Sequence, residues 1–190
     1  MSEIAANSWH PHLWHPFTQP GRGPAPIPVR RGQGVWLELE DGRRLIDGIS
    51  SWWVTLHGHG EACIAEAIGN QAKELEQVIF ANFRHGPAST LSTRLCGKWD
   101  GLDRMFFSDN GSTAVEVALK MAWQHCQREA PKRQQVIAFD GAYHGDTFGA
   151  MALGERGLFS APFEPLLFAV ARAPWPATWW GDELIEQKEA

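Results

Sequence analysis

The stretch FFSDNGSTAVEVALKMAWQ, residues 106–124, constrains this chain more than any other. An apolar run stops at Ser108, Asp109, Asn110, Gly111, Ser112 and Thr113, then passes directly into a helix-forming sequence. Thr113 and Glu116 have Thr-x-x-Glu spacing, which predicts a capping box and a helix start near Thr113. Thr113, Glu116, Lys120, Gln124 and Gln127 form one narrow polar stripe. Nearly everything else is apolar, so the pattern predicts a helix covered around most of its circumference. The runs RMFFS (104–108), QVIAF (135–139) and LLFAV (166–170) have the length of short buried strands, and the first two flank this helix. Strand, helix and strand in that order predict a parallel α/β unit.

Such a unit fixes where chemistry can sit. At the helix start the unpaired N–H groups around Gly111 and Ser112 converge on one spot, where the helix dipole adds positive potential. Gly111 admits a ligand close to the backbone, and the Ser112 and Thr113 hydroxyls are further donors. That arrangement suits a phosphate at the C-terminal end of a strand. The same residues also suit a well-capped loop with nothing bound, and this stretch alone leaves both open. The ending is not a Walker loop, because Gly-Lys-Ser/Thr is absent. With parallel strands, the loop FDGAYHGDTFGAM (139–151) opens on the same edge and brings Tyr143, His144 and Asp146 beside the cup. One tyrosine stands against ten tryptophans in the sequence, which singles out Tyr143. An aromatic face next to a phosphate suits a flat phosphorylated ring.

Elsewhere the chain is ordinary in balance: 44% hydrophobic, 21% charged, net charge -5, with both signs scattered. Nucleic acid and anionic membrane are therefore poor expectations as partners. No apolar stretch approaches the ~18 residues of a membrane span, and no secretory leader is visible. Three cysteines without metal-pair spacing fit a reduced, cytoplasmic protein. Residues 7–34 are dense in Pro, Gly, His and Trp, which predicts an extended arm seeking burial for Trp9, Trp14 and Phe17. An antiparallel hairpin is expected over 35–48 around Asp41-Gly42. Helices are expected over 61–78 and 87–99, with Pro87 in the first helical position. Trp52 and Trp53, on a segment expected to be extended, would point opposite ways. His57 and His59 would share a strand face, but no third metal ligand is evident, so no metal is expected.

The segments LWHPFTQ, DGRRLIDGISSWW, FFSDNGSTAVEVALKMAWQ and YHGDTFGAMALGERGLFSAPFEPLLF, in this order and spacing, resemble the class-III, fold-type-I pyridoxal-phosphate aminotransferases. The Trp-Trp after GISS and the Tyr-His-Gly-Asp-Thr segment resemble the branch acting on 8-amino-7-oxononanoate in biotin synthesis. HGHGEACI departs from that branch in lacking Asn-His-Pro. The resemblance implies an α/β fold: the N-terminal portion of a fold-type-I transferase, with an arm and small-domain hairpin over 1–50 and part of the large cofactor-binding domain over 51–190. It implies pyridoxal 5'-phosphate as cofactor, held at its phosphate by Gly111 and Ser112 and stacked on by Tyr143. It implies that Trp52, Trp53 and Phe17 bind substrate. The implied reaction moves an amino group from S-adenosylmethionine to 8-amino-7-oxononanoate, giving 7,8-diaminononanoate, in a homodimer.

Family chains are considerably longer. The Schiff-base lysine and the aspartate that pairs with the ring nitrogen are expected in a C-terminal half beyond these residues. None of Lys73, Lys98, Lys120, Lys132 and Lys188 falls in a matching motif, so no catalytic residue is assigned here. The end, WWGDELIEQKEA, reads as a helix soon after its start. An inactive fragment with uncovered apolar edges is the expectation. The other readings are a non-catalytic phosphate-binding or assembly module, and an aminotransferase for another amine or ω-amino acid.

Overall fold

The computed structural model describes residues 8–175 together with Thr178, Glu183 and Leu184, so the helix expected at the end lies largely outside the described residues. The chain separates into two compact units, Met1–Ser89 and Thr90–Ala190.

In the first unit the expected hairpin gains a strand. β1 (Val29–Gln33), β2 (Trp36–Leu39) and β3 (Arg44–Ile46) form an antiparallel sheet in the order β1-β2-β3. The β2–β3 turn is the expected one. Gly42 takes φ 87°, and the Asp41 carboxylate accepts the Arg43 N–H at 3.0 Å. β1 belongs to the span expected as arm: its Arg31 pairs with Glu38 at 2.7 Å, and Leu39 of β2 is the unit's fully buried apolar residue. A short turn, α1 (Ser50–Trp53), follows. α2 (Ala62–Glu74) ends earlier than its apolar spacing suggests, because Leu75 turns extended and its carbonyl accepts the Gln71 side-chain amide at 2.8 Å. α3 (Gly86–Cys96) begins one residue before Pro87. It crosses the boundary between the units.

In the second unit α4 (Gly111–Glu129) is the expected long helix. β4 (Ile137–Phe139) pairs in parallel with β5 (Ala171–Ala173). β5 begins directly after the expected run, whose first residue, Leu166, is taken by a 3₁₀ turn over Ala161–Leu166 that holds Pro162 and Pro165. Arg172 hides β5 from a search for apolar runs. Its guanidinium donates to the carbonyls of Ala152, Leu153 and Gly154 at 3.1, 2.8 and 2.6 Å, capping α5 (Phe148–Leu153). RMFFS at 104–108 forms no strand among the described residues.

The expected coverage of α4 is not supplied by the described residues. No residue of the helix is buried, and Met121 and Trp123 are exposed. The buried apolar residues of this unit are Ala138, Ala150 and Ala152. Beside Trp123 a cleft of about 460 Å³ opens between Leu119, Val136 and Phe168.

Candidate functional site

The cup residues owe their geometry to a cap three residues upstream of the expected one. Asn110 is the N-cap: its side chain accepts the Thr113 N–H at 2.9 Å, and the Thr113 hydroxyl accepts the Asn110 N–H at 3.1 Å. The Ala114 N–H is taken by the Asn110 carbonyl at 3.0 Å. Two first-turn N–H groups, those of Gly111 and Ser112, are left without an acceptor among the described residues. The space in front of Gly111 is open, since a Cβ there would meet nothing within 4 Å. Thr113, expected to donate to an anion, does not. Its one proton goes to the Asn110 carbonyl at 3.0 Å, and its oxygen also accepts from Ser108 at 2.7 Å.

Glu116, expected in the cap, reaches the next loop instead. Its carboxylate accepts the Gly149 and Ala150 N–H groups at 2.6 and 3.2 Å, at the start of α5. The Thr147 hydroxyl, those two N–H groups and the Lys120 charge hold its carboxyl below the usual range.

The loop before α5 packs directly on the cup. Ser112 Oγ accepts the Thr147 N–H at 3.0 Å and shares a 2.7 Å hydrogen bond with Thr147 Oγ1. Gly145, at φ 118°, makes the approach possible: a Cβ there would fall inside the van der Waals shell of Ser112, 2.8 Å from its Cα. Tyr143 is two residues away and exposed, and its hydroxyl donates to Asp146 at 3.0 Å. That hydrogen bond raises the Tyr143 pKa. The loop carrying Tyr143 and the start of α4 thus meet at one edge.

The aromatic residues of the first unit form a separate cluster. Trp52 and Trp53 are not on an extended segment. Ser50, Ser51, Trp52 and Trp53 have φ of 48°, 46°, 69° and 70°, one turn of left-handed helix closed by the Trp53 N–H on the Ile49 carbonyl and the Val54 N–H on that of Ser50. Each such residue costs an L-amino acid about 1–2 kcal/mol. A clamp offsets that cost. Asp47 accepts from the Ser51 hydroxyl at 2.6 Å and meets His59 Nε2 at 2.8 Å. His59 is in turn fixed to Gly34 by main-chain bonds in both directions, at 2.9 and 2.8 Å. The Ser51 hydroxyl and N–H, then His59, lower the Asp47 pKa to about 2. Phe17, itself at φ 56°, lies parallel to Trp52 with centroids 6.2 Å apart. Phe17 and Trp14 stay exposed rather than buried as the arm reading expected.

His59 therefore serves the clamp, and His57 is exposed. Among the described residues no three His, Cys, Asp or Glu gather as a metal site. Sequence reasoning missed Asp47 and Thr147 and weighed His59 only as a metal ligand, because each acts through a partner 12 or 35 residues away.

Residues 17–190 match the aminotransferase class-III family, and the chain belongs to that family. Relatives with the name adenosylmethionine-8-amino-7-oxononanoate aminotransferase include proteins of Synechococcus elongatus and Geobacter sulfurreducens. The first is 60% identical over 182 residues, which is 95% of this chain and 43% of that protein. The second is 41% identical over 169 residues, 87% of this chain and 37% of that protein. Among solved structures, the Methanocaldococcus jannaschii protein of the same name superposes with a TM-score of 0.82 at 36% identity, over 87% of this chain and 39% of that one. An amine transaminase from an uncultivated Pseudomonas species, in its PLP-bound form, gives 0.76 at 30% identity, over 88% and 39%. The fold is thus the N-terminal portion of a PLP-dependent transaminase. The chain spans about two fifths of the length of the relatives it matches.

Proposed function

We propose that this chain is the part of a class-III aminotransferase that holds pyridoxal 5'-phosphate by its phosphate. The observation that carries this reading is the pair of free N–H groups on Gly111 and Ser112, with the Tyr143 loop packed against Ser112. These residues fit the cofactor: two donors at a helix start, an unobstructed approach at Gly111, and an exposed ring on the loop packed against Ser112. Gly111 and Ser112 bind the phosphate. Tyr143 lies on the pyridine ring, its hydroxyl held by Asp146. When bound, the cofactor supplies the electron sink that labilises the amine carbon. Trp52, Trp53 and Phe17 offer the apolar surface for substrate.

For the full-length enzyme we infer transfer of an amino group from S-adenosylmethionine to 8-amino-7-oxononanoate, in a cytoplasmic homodimer serving biotin synthesis. The names of the relatives support the reaction, and three unpaired cysteines suit a reducing compartment. Among the described residues Lys73 stands on α2, Lys98 just past α3, Lys120 within α4 and Lys132 in the turn after it. None is on the cup or its loop, so we assign the Schiff-base lysine to another part of the full-length enzyme.

The test mixes the purified 190-residue chain with pyridoxal 5'-phosphate, reduces with borohydride and assays turnover. Saturable binding competed by inorganic phosphate is expected, with no lysine modified stoichiometrically and no transamination. Turnover by this chain, or binding indifferent to phosphate, contradicts the reading.

A further inference from the structure

We propose that Thr147 is the positioning residue of the cup: it fills the acceptor positions of Ser112 Oγ, so that the Ser112 proton is turned toward the bound anion. This rests on the phosphate reading above and adds a residue to it. A serine hydroxyl has one proton to give and two lone pairs. The Thr147 N–H can only donate, so at 3.0 Å it occupies one lone pair of Ser112 Oγ. The second contact, Oγ to Oγ1 at 2.7 Å, holds one proton, and either hydroxyl can supply it.

What decides the direction is who else needs a donor. Without an anion, the proton between the two hydroxyls can sit on either oxygen. With a phosphate at the Gly111 and Ser112 N–H groups, the Ser112 proton turns to the phosphate oxygen. The Thr147 hydroxyl then rotates to donate to Ser112. Glu116 keeps the Gly149 and Ala150 N–H groups, so its charge stays solvated by main-chain dipoles. No bond forms or breaks; two hydroxyl groups rotate. The close packing of Gly145 on Ser112 keeps Thr147 within reach. Thr147 is the N-cap of α5 by position, yet its side chain makes no capping bond there; its hydroxyl faces Ser112 instead.

The test compares pyridoxamine 5'-phosphate with pyridoxamine as probes for the full 190-residue chain, by equilibrium dialysis. Neither probe carries an aldehyde, so surface lysines do not react. Thr147→Val keeps the shape and the N–H but loses the hydroxyl. It is expected to weaken the phosphorylated probe on the order of fivefold, as for one neutral hydrogen bond lost behind the Ser112 hydroxyl, and to leave pyridoxamine unchanged. Thr147→Ser restores binding, and in a Ser112→Ala background Thr147→Val has no further effect. An equal loss for both probes, no loss, or the same loss in the Ser112→Ala background overturns the role of Thr147. A wild-type chain that does not prefer the phosphorylated probe overturns the phosphate reading itself, and this inference with it.

Discussion

Two tight turns present the candidate site residues, one in each unit, and they are held by different means. The turn at Ser50–Trp53 puts four consecutive non-glycine residues at positive φ. It persists because side chains hold it: Asp47 on Ser51 and His59, and Phe17 on Trp52. The entry to α4 has an extended N-cap, Asn110 at φ -159° and ψ 175°, and ordinary helical residues after it. It is held by a local cap, and its demand on geometry at Ser112 falls on Gly145 across the loop. Strain of the first kind is held where a conformation must present particular side chains, here two large exposed rings. The second turn presents backbone, which needs no strain, only donors left unpaired. Presenting aromatic side chains is thus tied to a titratable clamp, while presenting amides is tied to close packing of one glycine.

The largest expected effect strikes the second turn. Gly145→Ala adds a Cβ against Ser112 at a φ that L side chains rarely adopt. Overpacking and strain together predict a loss on the order of 3 kcal/mol, read by urea denaturation, with the Tyr143 loop released from Ser112. An unchanged midpoint would mean that the two loops do not meet as closely as described.

A smaller effect belongs to the first turn and depends on acid. The Asp47 pKa falls from about 3.9 in an unfolded chain to about 2 in the fold. A depressed carboxyl pKa contributes stability that is complete above pH 4 and disappears as pH drops through 4 toward 2. Hydrogen exchange at the Trp53 and Val54 amides, which close the left-handed turn, should accelerate across that window beyond the intrinsic pH dependence of exchange. In Asp47→Asn exchange should be faster at neutral pH and the additional acid step should vanish. A step that survives in Asp47→Asn assigns the clamp to another group.

The same contrast explains what was legible in the sequence. The α4 entry was legible because glycine, small polar residues and the change of hydrophobic period are local signals, although the cap itself sits at Asn110 and Thr113 rather than at Thr113 and Glu116. The Asp41-Gly42 turn was legible for the same reason, whereas the parallel partner expected for β4, RMFFS, forms no strand among the described residues and β4 pairs with β5 instead. The left-handed turn was not: four residues with side chains at positive φ contradict every local preference, and the contacts that hold them include Asp47–His59, 12 residues apart. β5 was misplaced because its central Arg172 spends its charge on the end of α5, which no periodicity reveals. Covering α4 takes more apolar surface than the described residues of this chain bring to it.

The most direct test is an amide-resolved titration. With the chain labelled by ¹⁵N, pyridoxamine 5'-phosphate should produce saturable shifts concentrated at the Gly111 and Ser112 amides, with matching perturbation of the Tyr143 ring. Saturable binding that leaves those two amides unmoved, or that perturbs them without involving Tyr143, would contradict the account.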